Sequence, residues 1–146
     1  MRQIKTLITA IFFSLVCTTI SVKAGAEEIN KGDAAAFQEI ITFQIMAFQA
    51  DNADAAFAFA TPKLQEIFQS PENFISMVRQ GYAPVYRPKS FEFGQTELKD
   101  GHPTQVVTIV GPSGTLWAAL YTFEQQPNGS WRISGVYLVK QPGAAA

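Results

Sequence analysis

The hydrophobic period of this chain changes once, and the change constrains the fold more than any other feature. Up to Gly81 apolar side chains recur at helical spacing; beyond Pro88 they alternate. Helices gathered ahead of strands define an α+β domain rather than an alternating α/β one.

In the helical half, Phe37, Ile40, Ile41, Ile45 and Phe48 fall on one face of a long helix that Asp33 would cap and that ends near Ala50. Asp51, Asn52 and Asp54 form a polar turn and cap a second segment containing Phe57 and Phe59. Thr61 before Pro62 and Ser70 before Pro71 each set a capping hydroxyl ahead of a proline at the first helical position, where its missing N–H is not needed. Two short helices follow, Pro62 to Phe68 and Pro71 to Gly81. The segment Tyr82 to Pro88 has two prolines and reads as an extended linker, because residues before proline avoid the helical region.

In the second half, Phe91 and Phe93 flank Glu92 on a first strand, and Asp100-Gly101 marks a hairpin. Thr104 to Val110 is a β-branched strand, Gly111 to Gly114 a turn, Leu116 to Glu124 a third strand, and Asn128-Gly129 the turn before Ser130 to Val139. The same turn explains the glycosylation-like triplet Asn128-Gly129-Ser130. The expected architecture is about three N-terminal helices packed on a curved four-stranded antiparallel meander, with the long first helix covering one face.

The N-terminus carries Arg2 and Lys5, then an uncharged stretch from Leu7 to Ile20, then the small residues Ala24, Gly25 and Ala26. That order is the pattern of a cleavable export signal, and about 14 apolar residues fall short of the ~20 that span a membrane. The division expected is a signal peptide over 1–26, one domain over 27–140 and a frayed tail over 141–146, with a periplasmic or secreted location. Cys17, the single cysteine, leaves with the signal, so the mature domain has no disulfide.

Processing also removes three basic residues and leaves 8 basic against 12 acidic, a net charge of −4. A surface of that sign repels phosphate backbones, and Arg79, Arg87 and Lys89 are too few to form a nucleic-acid patch. With 47% hydrophobic and 16% charged residues, the chain has the balance of a packed globule rather than a disordered tail.

Three candidate sites emerge. Arg79, Tyr82, Tyr86 and Arg87 lie at the junction of helices and sheet, where tyrosines and a bidentate arginine would suit an anionic amphiphile. Their structural alternative is tyrosines plugging the sheet edge and arginines paired with Glu72 or Glu92. Alternation places Trp117, Ala119, Tyr121 and Phe123 in one row, and Trp131, Ile133, Gly135, Tyr137 and Val139 in another. Facing the helices these rows are core; around a hollow, Trp117, Tyr121 and Tyr137 would bind a ligand. An isomerase or lyase would need a carboxylate base in an apolar pocket, and Glu39, Asp51, Asp54 and Glu92 are the carboxylates available. No metal or other cofactor is expected, since His102 is the only histidine, and it has no serine nucleophile at a strand-to-helix elbow.

Element order resembles the nuclear transport factor two superfamily, a cone of helices on a curled sheet. A closer resemblance lies in the strings Phe48-Gln49-Ala50-Asp51, Ser70-Pro71-Glu72-Asn73-Phe74, Met77-Val78-Arg79-Gln80-Gly81-Tyr82, Pro84-Val85-Tyr86-Arg87-Pro88 and Gly129-Ser130-Trp131-Arg132-Ile133-Ser134-Gly135. These resemble a bacterial exported family known as domain of unknown function forty-eight sixty-four, over about Asp33 to Val139. That resemblance implies a Gram-negative periplasmic or membrane-associated location and no assigned activity. The expected function is a non-catalytic periplasmic module binding a small apolar or amphiphilic ligand, a protein partner or a second copy. The alternatives are a small isomerase or lyase and a structural envelope protein with a closed core.

Overall fold

The computed structural model describes residues 28–143; the export signal and Cys17 read from the sequence, like the last three alanines, lie outside the described residues. Helices α1 (Lys31–Gln49), α2 (Ala53–Ala58), α3 (Pro62–Phe68), α4 (Pro71–Gly81) and α5 (Ala83–Tyr86) precede strands β1 (Ser90–Lys99), β2 (His102–Val110), β3 (Leu116–Gln125) and β4 (Trp131–Lys140). The strands form one antiparallel sheet in the order β1-β2-β3-β4. This is the expected α+β meander, consistent with the cone anticipated from element order.

Caps fix the helix starts. Asn30, not Asp33, begins α1: its Oδ1 accepts from Asp33 N at 2.9 Å, which leaves the Asp33 carboxylate to accept from Trp131 Nε1 at 3.3 Å. Asn52 caps α2, and Thr61 and Ser70 cap α3 and α4 ahead of their prolines as expected. The linker is the first correction. Tyr82 to Arg87 is not extended but winds through α5, with Tyr86 N donating to Tyr82 O at 3.0 Å and Arg87 N to Ala83 O at 3.0 Å. Pro84 sits in the first turn, where a helix needs no N–H from it, so one proline starts a turn that the pair was expected to forbid. Among the described residues, five helical segments therefore replace about three.

The turns supply the meander. Asp100 and Gly101 both take positive φ, 51° and 77°, the requirement of the tight hairpin turn that twists with its strands. The other two hairpins carry Pro112 and Pro127, whose fixed negative φ rules out that turn, and each places a glycine at φ 85° further on, Gly114 and Gly129.

The core lies between α1 and the inner face of the sheet. Phe37, Ile41, Ile45 and Phe48 are enclosed together with Val107, Ile109, Ala119, Tyr121 and Phe123. Phe37 stacks on Phe123 with ring centres 4.2 Å apart and meets Trp131 edge-on at 5.0 Å. Register breaks between Phe93 and Thr96 on β1 and between Thr122 and Phe123 opposite β4, adding a residue each time and bending the sheet.

The β4 bulge produces a second correction. Phe123 pairs with Ile133, while Tyr121 pairs with Val136, so the inward row runs Trp131, Ile133, Val136, Leu138. Tyr137 and Val139 do not continue the row of Ile133; they turn to the uncovered face and are 65% and 48% exposed. One inserted residue reverses every side chain beyond it.

Candidate functional site

The residues selected from the sequence are distributed over four places. Arg79, Tyr86 and Arg87 meet in one surface cluster whose centre is Asp51, a residue read from the sequence as part of a turn and as one of four available carboxylates, not as a partner of the arginines. Arg79 on the last turn of α4 reaches Asp51 Oδ1 at 3.4 Å, and Arg87 just beyond α5 reaches the same oxygen at 3.0 Å. The Tyr86 hydroxyl donates to that carboxylate and accepts from Arg79 Nε at 3.0 Å. Arg87 also donates to the Phe48 carbonyl, and its guanidinium carbon lies 4.3 Å from the centre of the Tyr86 ring.

The arginines thus pair with Asp51 rather than with Glu72 or Glu92, both of which are exposed elsewhere. Distance along the chain explains the difference: α1 ends against α5, which brings residue 51 beside residues 86 and 87. The Tyr86 hydroxyl bond, followed by the nearby Arg87 charge, holds the Asp51 carboxyl below its ordinary value despite some opposing desolvation. Arg79 is held above its ordinary value, chiefly by Tyr86 and then by Asp51. Both guanidiniums are committed within the protein, so this cluster ties helix ends together and is not a free anion clamp.

Tyr82 separates from that cluster. It follows α4 and lines an apolar cavity of about 120 Å³, partly open to solvent. Walls come from α1 (Gln44, Phe48), α3 (Leu64, Phe68), α4 (Phe74, Met77, Val78) and β4 (Ile133, Gly135, Val136). The proline-started helices build this space. Because α3 and α4 are short and angled by the turn at Gln69, whose φ is 69°, their apolar faces converge on the β4 edge. Ala60 helps close it by a lone parallel bridge to Ile133, made by Thr61 N to Ile133 O at 3.0 Å and Ile133 N to Phe59 O at 2.8 Å.

Trp117 and Tyr121 lie on the inward face of β3 but not on this cavity. Trp117 is half-buried beside Gly111, where its Nε1 leaves little room: a β-carbon on that glycine would stand 3.4 Å away. Tyr121 is fully enclosed, and its hydroxyl has no hydrogen-bond partner among the described residues. Burial raises its pKa well above the usual phenol value. Tyr137 lies on the opposite side, in a cleft of about 570 Å³ with Leu120, Thr122 and Ser134 on the uncovered face.

The polar residue that sequence reading missed is Gln44. It is 2% exposed, lines the cavity, and donates its Nε2 to Ala56 O at 3.1 Å. Its signal was visible: Gln44 stands seven residues after Phe37 and three after Ile41, a glutamine on the apolar stripe. The four carboxylates considered as bases do not share that space. Glu39, Asp51, Asp54 and Glu92 are all exposed, and none lines the cavity.

A helix-covered antiparallel meander with one small apolar cavity beside its last strand is thus the class of domain defined by fold and site. The chain belongs to the family described as Domain of unknown function (DUF4864), whose model matches residues 30–146. Neither the curated proteins nor the solved structures gave a significant match. No helix among the described residues is long and apolar enough to cross a membrane.

Proposed function

We propose that this chain is an exported, non-catalytic domain that binds a small apolar or amphiphilic ligand in the cavity between α3, α4 and β4. The observation that carries the reading is the cavity itself: about 120 Å³ of space walled almost wholly by aliphatic and aromatic side chains, with Gln44 and Tyr82 as its polar points. Binding sites combine apolar walls with a few placed polar groups in this way. A cavity of about 150 Å³ holds benzene, so this one suits a ligand, or the end of a ligand, of similar or slightly smaller bulk.

An isomerase or lyase is less well supported, because a general base must stand within hydrogen-bond reach of its substrate and the exposed carboxylates lie off the cavity. A wholly closed structural core is at odds with the same open space. Native mass spectrometry of the protein isolated from its own cells tests the reading directly. We expect a small adduct that disappears when Leu64→Trp fills the cavity. A ligand-free protein that also shows no response to small apolar probes would overturn it.

A further inference from the structure

Gln44 bears on the kind of ligand, and the argument rests on the cavity being a binding site. Donation from Nε2 to the Ala56 carbonyl fixes which end of the amide is nitrogen, since only nitrogen can donate there. The carbonyl oxygen, Oε1, makes no hydrogen bond to the described residues. It is not sealed in either, for Tyr121 Oη is the one fully enclosed side-chain polar atom without a partner among them. The side chain that carries this acceptor is 2% exposed and lines the cavity, so the cavity is the open space within its reach. Buried acceptors without donors are disfavoured, so this oxygen selects an occupant that brings one.

The surroundings exclude an anion. No cationic side chain lines the cavity, and the nearby guanidiniums of Arg79 and Arg87 are engaged by Asp51 and the Phe48 carbonyl. An ionised carboxylate placed among these apolar walls would lose its hydration with nothing to replace it. It would also face Gln44 Oε1 as acceptor against acceptor.

We infer that the cavity takes a small neutral molecule with an apolar body of about five non-hydrogen atoms and one hydroxyl or amide N–H, which donates to Gln44 Oε1. Pentan-1-ol, its isomer butyl methyl ether and pentanoate separate the terms: equal bulk with a donor, equal bulk without one, and a similar chain with a charge. Each is titrated into the protein purified from its own cells, following the methyl resonances of Leu64 and Val136. The alcohol should bind roughly five- to tenfold more tightly than the ether, the effect of one hydrogen bond, and pentanoate should bind weakest. Gln44→Met, which keeps length and apolar bulk, should remove the alcohol's advantage while leaving the ether's affinity within about twofold.

Equal affinity for alcohol and ether would overturn the donor requirement and leave the apolar cavity standing as a site. Tighter binding of pentanoate would overturn it in favour of an anionic ligand. Absence of methyl shifts with all three would overturn the cavity reading as well. If Gln44→Met does not fold, because Ala56 O loses its donor, the comparison of the three ligands on the unaltered protein still decides.

Discussion

Tyr121 shows how a single polar atom can oppose the fold that encloses it. Its ring fills the inward face of β3 opposite Gln105 and Val136, yet its hydroxyl is buried without a partner. A buried unsatisfied group costs about 1–3 kcal/mol, so Tyr121→Phe should leave stability unchanged or raise it by about 1 kcal/mol, read by denaturant unfolding. Burial raises the folded-state pKa, so the proton is held more tightly folded than unfolded. The phenol's contribution is therefore intact below the unfolded value of about 10 and falls as pH rises from there toward the folded value. Unfolding curves at rising alkaline pH should show Tyr121→Phe gaining stability relative to the original chain. An unchanged difference between them would contradict the enclosure of the hydroxyl.

Gln105, next to it, shows the opposite solution. It is equally enclosed but fully used, its Nε2 donating to Gly94 O and Val106 O, each at 2.9 Å, and its Oε1 accepting from Thr96 Oγ1 at 2.7 Å. A glutamine spanning the β1 bulge satisfies carbonyls that the broken ladder would otherwise leave unpaired. Neither role follows from residue type, since both depend on what the neighbouring strand offers.

At the scale of elements, the ends of α1, α4 and α5 are joined by Asp51, Arg79, Tyr86 and Arg87. Asp51 and Arg79 are exposed and Tyr86 and Arg87 half-buried, so the worth of these pairs is screened by solvent and salt. Asp51 also adopts a positive φ of 52°, which asparagine tolerates equally well. Asp51→Asn thus removes the charge while retaining the turn. Because the folded carboxyl is held below its unfolded value, its contribution is present above about pH 4 and lost as pH falls through the folded value. Thermal melts from neutral to acid pH should find the variant less stable near neutrality, with the difference vanishing at low pH. A difference that grows with acidity would contradict that sign.

For the whole molecule, α1 covers one face of the sheet, and no other described residue covers the opposite face, where Tyr137, Val139 and Leu120 show apolar surface. The apolar cavity lies at the covered face's edge, under α3 and α4; it shares Phe48 with the arginine cluster but is lined by none of that cluster's charged side chains. Export is a property of the whole chain, and we propose it from the charged, apolar and small-residue order of the first 26 residues. Intact mass of the protein recovered from its own cells should correspond to a chain beginning at Gly25 or Glu27. A mass retaining Met1 to Lys23 would overturn processing.

Sequence by itself determined the class of fold, because hydrophobic period, caps before proline and glycine-bearing turns are local properties that no distant contact has to supply. Thr61, Ser70, Asp100-Gly101 and Asn128-Gly129 all act where they were expected. The buried helix face of Phe37 and Phe48 was also legible from spacing, as was the shared face of Tyr121 and Phe123, though alternation alone left that face open as core or ligand site. Tertiary structure decided the rest. The extra residue in β4 turned Tyr137 outward, a reversal that strict alternation cannot reveal. The return of α5 to the end of α1 gave Arg79 and Arg87 a carboxylate near in space and remote in sequence, closing the anion site that their types suggested. The same packing left Gln44, a glutamine on an apolar stripe, lining a cavity with its nitrogen paired and its oxygen without a partner among the described residues, because the direction of an amide is set by the partners that surround it.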